Sequence, residues 1–135
     1  MTERELLDLA IAARKRAYTP YSHFRVGAAL LTRAGRVFLG CNIENASFSP
    51  TICAERTAIA KAVSEGERDF VAIAIAGGSE NSTLRRICAP CGVCRQVLAE
   101  LCQPDMSVIL GDGEHMEIHP LSHLLPLAFT EKDLH

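Results

Sequence analysis

Between residues 70 and 110 the chain reads FVAIAIA (70–76), CGVCRQVLAEL (91–101) and MSVIL (106–110). The first segment is a continuous apolar run, which is typical of a strand buried on both faces. The second segment is typical of a helix, and the third of another strand. A strand, a helix and a strand in this order predict a parallel pair joined by a right-handed crossover.

The residues before this unit predict one helix and two strands. Thr2 and Glu5 form a capping box, which indicates a helix that begins there and runs to about Tyr18. Residues 26–31 and 37–41 have the composition of two strands. A short turn containing a glycine separates these strands, so we expect a hairpin.

A second helix is expected to start at Ser49 and Pro50 and to run to about Ser64, because proline is well tolerated in the first turn of a helix. The chain has no internal repeat, linker or low-complexity segment. We therefore predict a single domain, residues 1–135, of the α/β class. Its core would be a mixed, roughly five-stranded sheet covered by helices.

Charge and aromatic content argue against a nucleic acid partner. The chain has 14 basic and 16 acidic residues, whereas a polyanionic ligand such as DNA or tRNA favours a basic surface. It has no Trp, two Tyr and five Phe, which leaves little material for stacking along a strand of nucleic acid. We expect a free small molecule as the substrate.

The apolar content bears on location and assembly. Hydrophobic residues make up 48% of the chain, at the upper end of the ordinary range. No apolar run reaches the roughly 18 residues that span a bilayer. The first residues, MTERELLD, mix charges and do not form a signal-peptide core. We expect a cytoplasmic protein without a membrane partner, and we assign the surplus apolar surface to contacts between subunits.

Six cysteines occur in the chain. Without a recognisable secretion signal, this number favours free thiols in a reducing compartment over a disulfide framework. Cys41 and Cys102 are interpreted as small buried hydrophobic residues, which is the usual role of a free cysteine.

Three of the remaining cysteines predict a metal site. Cys53 stands two residues before Glu55, and Cys91 and Cys94 are separated by three positions. Two cysteines at i and i+3 in the first turn of a helix point the same way and can reach one ion. Three protein ligands leave one tetrahedral position of Zn²⁺ open for water, and Glu55 is well placed to handle the protons of that water.

Two other groups of residues compete for a metal ion. Cys88 and Cys91 also form a C-x-x-C pair, but Pro90 imposes extended backbone before the helix, so we expect Cys88 to point elsewhere. His119 and His123 have a spacing that suits a metal on a helix. Pro120 lies between them and no third ligand is evident, so we do not expect a second metal site.

These motifs resemble the signature of the cytidine deaminase family, which joins (His/Cys)-x-Glu to Pro-Cys-x-x-Cys. Three further segments resemble the small branch of that family that is specific for pyrimidine nucleosides. They are FRVGAA at 24–29, NIEN at 42–45 and LLPLAF at 124–129. The four motifs occur in the expected order and cover nearly the whole chain.

The resemblance implies a three-layer cytidine deaminase-like fold with one zinc ion per chain. It also implies hydrolytic deamination of cytidine and 2′-deoxycytidine in pyrimidine salvage, with Glu55 as both general base and general acid. The assembly would be a homotetramer with its active sites at subunit interfaces. The nearest rivals are a blasticidin-type or nucleic-acid-editing deaminase of the same fold and a non-catalytic zinc module, which would need a fourth ligand but not Glu55.

The family resemblance also assigns roles around the metal. Arg56 would donate hydrogen bonds to ligand sulfurs and so tune the metal. Asn42 and Glu44, which share one face of a strand end, would hold the ribose hydroxyls, and the carboxylate would repel a phosphate. The predicted substrate-binding residues are Phe24, Asn42, Glu44, Ala54 and, from a neighbouring subunit, Phe129.

Overall fold

A five-stranded mixed sheet forms the centre of the computed structural model, which describes residues 1–135. The strand order is β2-β1-β3-β4-β5. The β3–β4 pair is parallel and the other three pairs are antiparallel, which confirms the predicted mixed sheet. The strands are β1 (Phe24–Thr32), β2 (Val37–Cys41), β3 (Phe70–Ser79), β4 (Ser107–Gly111) and β5 (Met116–Pro120).

Helices cover both faces of the sheet and give the expected three layers. The α-helices are α1 (Glu3–Ala13), α2 (Ala54–Ser64), α3 (Gly92–Leu101) and the short α4 (Leu121–Leu124). Residues of α2 and α3 belong to the larger hydrophobic cluster on one face, whereas α1 closes a smaller cluster on the other. None of the helices combines the length and the apolar character needed to cross a bilayer.

Alternating side chains of β3 supply both hydrophobic clusters. Ile73 and Ile75 belong to the cluster of α2 and α3, and Ala74 and Ala76 to the cluster of α1, as the two-residue period of a strand requires. The helix on the alanine side lies very close to the sheet. A Cβ atom added at Gly27 of β1 would lie only 2.0 Å from the backbone oxygen of Ala10.

The first helix ends earlier than the sequence predicts. The capping box is present, but the α-helix stops at Ala13 and a 3₁₀ turn follows. The prediction that it runs to Tyr18 was wrong because Tyr18 is used in extended pairing. Its backbone N–H donates to Asn42 at 3.0 Å, and its carbonyl accepts from Glu44 at 2.9 Å.

The second helix begins later than predicted. Ile52 and Ile43 exchange two backbone hydrogen bonds of 3.0 Å, and this bridge holds the chain extended just before the helix. The helix therefore begins at Ala54 and not near Ser49, with Cys53 as its N-cap residue in an extended conformation. Cys53 thus precedes the first turn of the helix, whereas the predicted start at Ser49 would have put it inside the helix.

The fifth strand was not located from the sequence. Residues 116–120 are largely exposed at the edge of the sheet, so they lack the continuous apolar run that marks the buried strands. His119 lies in this strand, and its Nε2 atom is 2.9 Å from the Glu117 carboxylate. His123 lies in α4, so the two histidines do not share one helix.

Candidate active site

Three thiols meet where the amino-terminal ends of two helices come together. Cys53 is the N-cap residue of α2, Cys91 is the N-cap residue of α3, and Cys94 lies in the first turn of α3. Their sulfur atoms all lie within 4.8 Å of one another. The partial positive charge of a helix N-terminus favours the thiolate form of such residues.

The spacing of the sulfurs suits a tetrahedral metal ion. A Zn–S distance of about 2.3 Å in tetrahedral geometry separates two ligand sulfurs by about 3.8 Å. The Sγ atoms of Cys53 and Cys91 are 3.9 Å apart. No fourth Cys, His, Asp or Glu belongs to the cluster, so the donor set fits a zinc ion that keeps one coordination position for a non-protein ligand.

Hydrogen bonds to the sulfur of Cys53 favour its thiolate form. A hydrogen bond from Cys94 lowers the pKa of Cys53 to about 5, with further help from Arg56 and Cys91 and despite partial burial. The same shared proton, together with burial, raises the pKa of Cys94. A divalent cation displaces such a proton when thiolates bind it, so metal binding here releases protons.

Arg56 lies beside this cluster. Its Nη2 atom donates to the Sγ of Cys53 at 3.6 Å and to the carbonyl of Thr51 at 3.5 Å. Its hydrogen bond to Cys53 raises the pKa of the guanidinium. The Nε atom is buried without a partner, so a further N–H is available near the sulfurs.

Glu55 is the one buried carboxylate of the chain. It follows Cys53 by two residues, in the first turn of α2, and is 4% exposed. Burial raises its pKa to about 7, and the neighbouring Cys53 thiolate adds to the increase. A carboxyl group in such a setting can both accept and donate a proton near neutral pH.

A single cavity connects the thiols to the end of the hairpin. It brings together most of the residues that the sequence singled out, and Thr51, Ile52, Val26, Cys88 and Ala89 complete its wall. The predicted residues that line it are Phe24, Asn42, Glu44, Cys53, Ala54, Glu55 and Cys91. Cys94 lies behind this wall and is fully buried.

Asn42 ties the end of the hairpin to the start of β1. Its Oδ1 atom accepts from the N–H of Val26, and its Nδ2 atom donates to the carbonyl of Phe24, both at 2.9 Å. A primary amide has a second N–H and a second lone pair. Asn42 is thus fixed by the backbone and still has hydrogen-bonding capacity on the cavity side.

The Glu44 carboxylate is held at the other end of the cavity by a turn that precedes β1. It accepts from the backbone N–H groups of Tyr21 at 3.0 Å and Ser22 at 3.1 Å, and from the Ser22 hydroxyl. Desolvation alone would raise the pKa of Glu44, but these donors outweigh it and lower the pKa. Ser22 was not predicted as a partner of Glu44, because the two residues meet only in the folded chain.

Phe129 lies outside the cavity of its own chain. The residue is 58% exposed, and its backbone oxygen accepts from Nε2 of Gln96 at 2.8 Å. Cys88, in contrast, lies outside the thiol cluster but lines the same cavity as Glu55, a position that the sequence did not indicate.

Comparison with known proteins agrees with this geometry. The family model described as the cytidine and deoxycytidylate deaminase zinc-binding region matches residues 1–110. The chain belongs to the cytidine deaminase family. A cytidine deaminase of Halalkalibacterium halodurans is 53% identical over 136 residues, which cover 99% of this chain and 98% of the relative. A cytidine deaminase of Sporosarcina psychrophila is 46% identical over 138 residues, with 99% and 96% covered.

Solved structures confirm the fold class. The crystal structure of cytidine deaminase from Burkholderia pseudomallei superimposes with a TM-score of 0.88 at 46% identity, and the match covers 96% of this chain and all of that one. As a family member, the chain is a hydrolytic deaminase with zinc as its cofactor, and the cluster of Cys53, Cys91 and Cys94 is positioned to bind the metal. All six cysteines are free thiols in the structure.

Proposed function

We propose that the protein converts cytidine and 2′-deoxycytidine, with water, to uridine and 2′-deoxyuridine and releases ammonia. The observation that carries the proposal is the buried Glu55 carboxyl group beside three convergent thiols, in a cavity with polar groups at its far end. The relatives named as cytidine deaminases support the choice of substrate.

A zinc ion would be held by the thiolates of Cys53, Cys91 and Cys94, and it would supply Lewis-acid activation of water at neutral pH. Glu55 accepts a proton from the attacking water and delivers it to N3 of the pyrimidine, which makes C4 electrophilic. The hydroxide that is left adds to C4. Glu55 then takes the second proton, from the new C4 hydroxyl group, and delivers it to the amino group, so the C4–N bond breaks, ammonia leaves and the ring becomes a uracil. Because Glu55 is 4% exposed, bulk water does not compete for the proton that it carries.

Arg56 acts through the sulfur ligand. Three thiolates outweigh the charge of Zn²⁺ by one unit, which weakens the metal as an acid. The contact of 3.6 Å between Nη2 and the Sγ of Cys53 withdraws electron density from that thiolate. Arg56 is thus a positioning residue that tunes the metal and does not touch the substrate.

The far end of the cavity suits a sugar without a phosphate. Asn42 and Glu44 both line it, and a carboxylate accepts hydrogen bonds from two ribose hydroxyls. The negative charge of Glu44 disfavours a nearby phosphate. Between this end and the thiols, the ring of Phe24 and the small buried Ala54 offer apolar walls for the base.

Exposed apolar residues support a homotetramer with shared active sites. Leu127, Phe129 and Leu134 are strongly exposed on the last segment of the chain, where contact with another subunit would bury them. We place Phe129 in the pocket of a neighbouring subunit, against the substrate base. The free nucleoside substrate and the six free thiols fit a role in pyrimidine salvage in the cytoplasm.

The direct test is to incubate the zinc-loaded protein with cytidine, 2′-deoxycytidine and CMP and to follow the ultraviolet change as uracil products form. We expect turnover of both nucleosides and at least ten-fold lower kcat/KM for CMP, since one charge-assisted contact contributes ~1.5–3 kcal/mol. Equal rates with CMP would remove the argument for phosphate exclusion, and no turnover of either nucleoside would overturn the proposed function.

A further inference from the structure

The cavity has a thiol on its wall that the metal cluster does not use. Cys88 lines the cavity together with Glu55 and Cys91. Its sulfur is not among the three that lie within 4.8 Å of one another. Once those three thiolates hold zinc, Cys88 is the only free thiol that faces the cavity.

The space for this thiol exists because residue 77 is a glycine. A Cβ atom at Gly77 of β3 would lie 2.5 Å from the Sγ of Cys88, 3.2 Å from its Cβ, and 3.3 Å from Cε1 of Phe24. Gly77 itself does not line the cavity, whereas Cys88 and Phe24 do. The thiol therefore lies between the strand and the cavity, directly over the glycine.

The segment that carries Cys88 is held against the strand end. The N–H of Arg85 donates to the carbonyl of Gly77 at 2.8 Å. A Cβ atom at Gly78 would lie 3.0 Å from Cα of Leu84, so the two chain segments are already in close contact. A side chain added at Gly77 would consequently force the Cys88 thiol toward the cavity, since the backbone behind it has no room to move away.

Phe24, which lines the cavity next to Cys88, is also held in place. The Arg85 guanidinium lies 5.6 Å from the centroid of the Phe24 ring, within the range of a cation–π contact. Phe24 and Cys88 thus form one supported apolar surface in the cavity that Glu55 also lines, where the base would lie.

We propose that Cys88, seated over Gly77, sets the width of the cavity around the base and so selects cytidines that carry no substituent on the pyrimidine ring. The proposal rests on the proposed function, because it places the base between Phe24 and the thiols. A sulfur atom and a methyl group have similar sizes, and one such group in an apolar pocket changes selectivity by about 10–200-fold. Cys88 is therefore a specificity-determining residue that excludes substrates with a substituent on the pyrimidine ring.

The test compares Cys88→Ala, Gly77→Ala and the double variant, using cytidine and cytidines with a methyl or ethyl group on a ring carbon. For Cys88→Ala, we expect kcat/KM for the substituted substrates, relative to cytidine, to rise about ten-fold or more. For Gly77→Ala, we expect KM for cytidine to rise about ten-fold, because the thiol is pushed into the cavity. The double variant should regain most of that loss, since the displaced sulfur is gone.

Two measurements separate this role from a general structural effect. Zinc content should stay near one equivalent in all three variants, and Cys41→Ala, which removes a half-buried thiol outside this cavity, should leave the selectivity ratio unchanged. If Gly77→Ala does not fold, Cys88→Val provides the opposite change to Cys88→Ala. It should raise KM for cytidine and lower the relative rate with substituted substrates.

An unchanged selectivity ratio in Cys88→Ala would overturn the proposal. So would a Gly77→Ala effect on cytidine of equal size in the wild-type and Cys88→Ala backgrounds. If the wild-type protein turns over no nucleoside, calorimetry with the same ligands decides the matter. Binding that widens to substituted cytidines in Cys88→Ala upholds the cavity assignment while the proposed function fails, and no nucleoside binding at all ends both.

Discussion

Glu55 combines three properties that an acid–base catalyst needs, and each has a local cause. Its place two residues after the N-cap Cys53 brings the carboxyl group next to the thiol cluster. Its burial, with 4% exposure, removes competing water. It also lines the same cavity as Asn42 and Glu44, so a ligand held there lies within its reach.

Replacing Glu55 with Gln should separate binding from chemistry. The amide keeps the size of the side chain but cannot move protons, so we expect activity to fall by at least ~10²–10⁴. Zinc content and the circular dichroism spectrum should remain as in the wild type. Turnover within a few-fold of wild type, in protein shown to be free of contaminating deaminase, would contradict the role given to Glu55.

Arg56→Ala should shift the dependence of rate on pH. Without the hydrogen bond to Cys53, the thiolates become richer in electrons and the metal activates water less well. The ascending limb of the pH–rate profile should therefore move to higher pH. Lys61→Ala removes a cation from the exposed end of the same helix and should leave the profile in place. Identical profiles for Arg56→Ala and wild type would indicate that Arg56 does not tune the metal.

At the scale of single residues, the sequence predicts contacts between residues that are close together in the chain. The i, i+3 spacing of Cys91 and Cys94 and the closeness of Glu55 to Cys53 are set by helix geometry, so the thiol cluster could be predicted. The partnership of Ser22 with Glu44 and the seating of Cys88 over Gly77 depend on the meeting of distant segments. No sequence pattern in this chain predicts either contact.

At the level of elements, the metal site results from packing α2 and α3 on one face of the sheet. Both helices contribute to the same hydrophobic cluster. Each presents its amino-terminal end, with unpaired N–H groups, to the same point. Packing of the core therefore brings the thiol at one N-cap close to the thiol at the other. Contacts between the cysteines themselves are not the cause.

Zinc analysis of single variants tests this arrangement. The wild type should contain about one equivalent per chain, and Cys53→Ala, Cys91→Ala and Cys94→Ala should each contain less, because a site with two thiolates binds the ion more weakly. Cys88→Ala should retain the full equivalent, since its thiol lies outside the cluster. Loss of zinc from Cys88→Ala would show that the ligand set is wrongly assigned.

The close approach of α1 to β1 gives a prediction on stability. A Cβ atom at Gly27 would lie 2.0 Å from the oxygen of Ala10, which is backbone and cannot rotate away. Gly27→Ala should reduce the free energy of unfolding by at least ~1–3 kcal/mol, the usual cost of overpacking. Gly113→Ala has no heavy atom within 4 Å of the added Cβ and should change stability by less than ~0.5 kcal/mol. Equal Tm values for the two variants would contradict this account of the packing.

The boundaries of two helices show where tertiary pairing overrides the local sequence pattern. The helix predicted to reach Tyr18 ends at Ala13, and the one predicted from Ser49 begins at Ala54. In both cases the residues concerned pair with Ile43 or its neighbours. Local propensity cannot anticipate such pairing, whereas the buried strand at 70–76 was predicted because its apolar run reflects burial on both faces.

At the scale of the whole molecule, the last segment of the chain exposes apolar groups that the fold does not use. Leu127 and Leu134 are largely or fully exposed, and Phe129 is 58% exposed. Phe129 does not line the cavity of its own chain. An assembly that buries this segment against a neighbour would account for its composition and would complete each active site with a residue from another subunit.

Subunit complementation tests the shared site. Light scattering should give about four times the 14.7 kDa of one chain. Cys53→Ala subunits lack a zinc ligand and Phe129→Ala subunits lack the donated ring, so each homotetramer should have low activity. In a mixed tetramer, a Phe129→Ala subunit keeps its own metal site and receives the intact Phe129 of a Cys53→Ala neighbour. Mixing should therefore restore some activity, while Cys53→Ala mixed with Cys94→Ala should restore none, since both lack the metal site. A fully active monomer, or no gain in mixed tetramers verified by mass, would refute the shared site and leave the zinc chemistry standing.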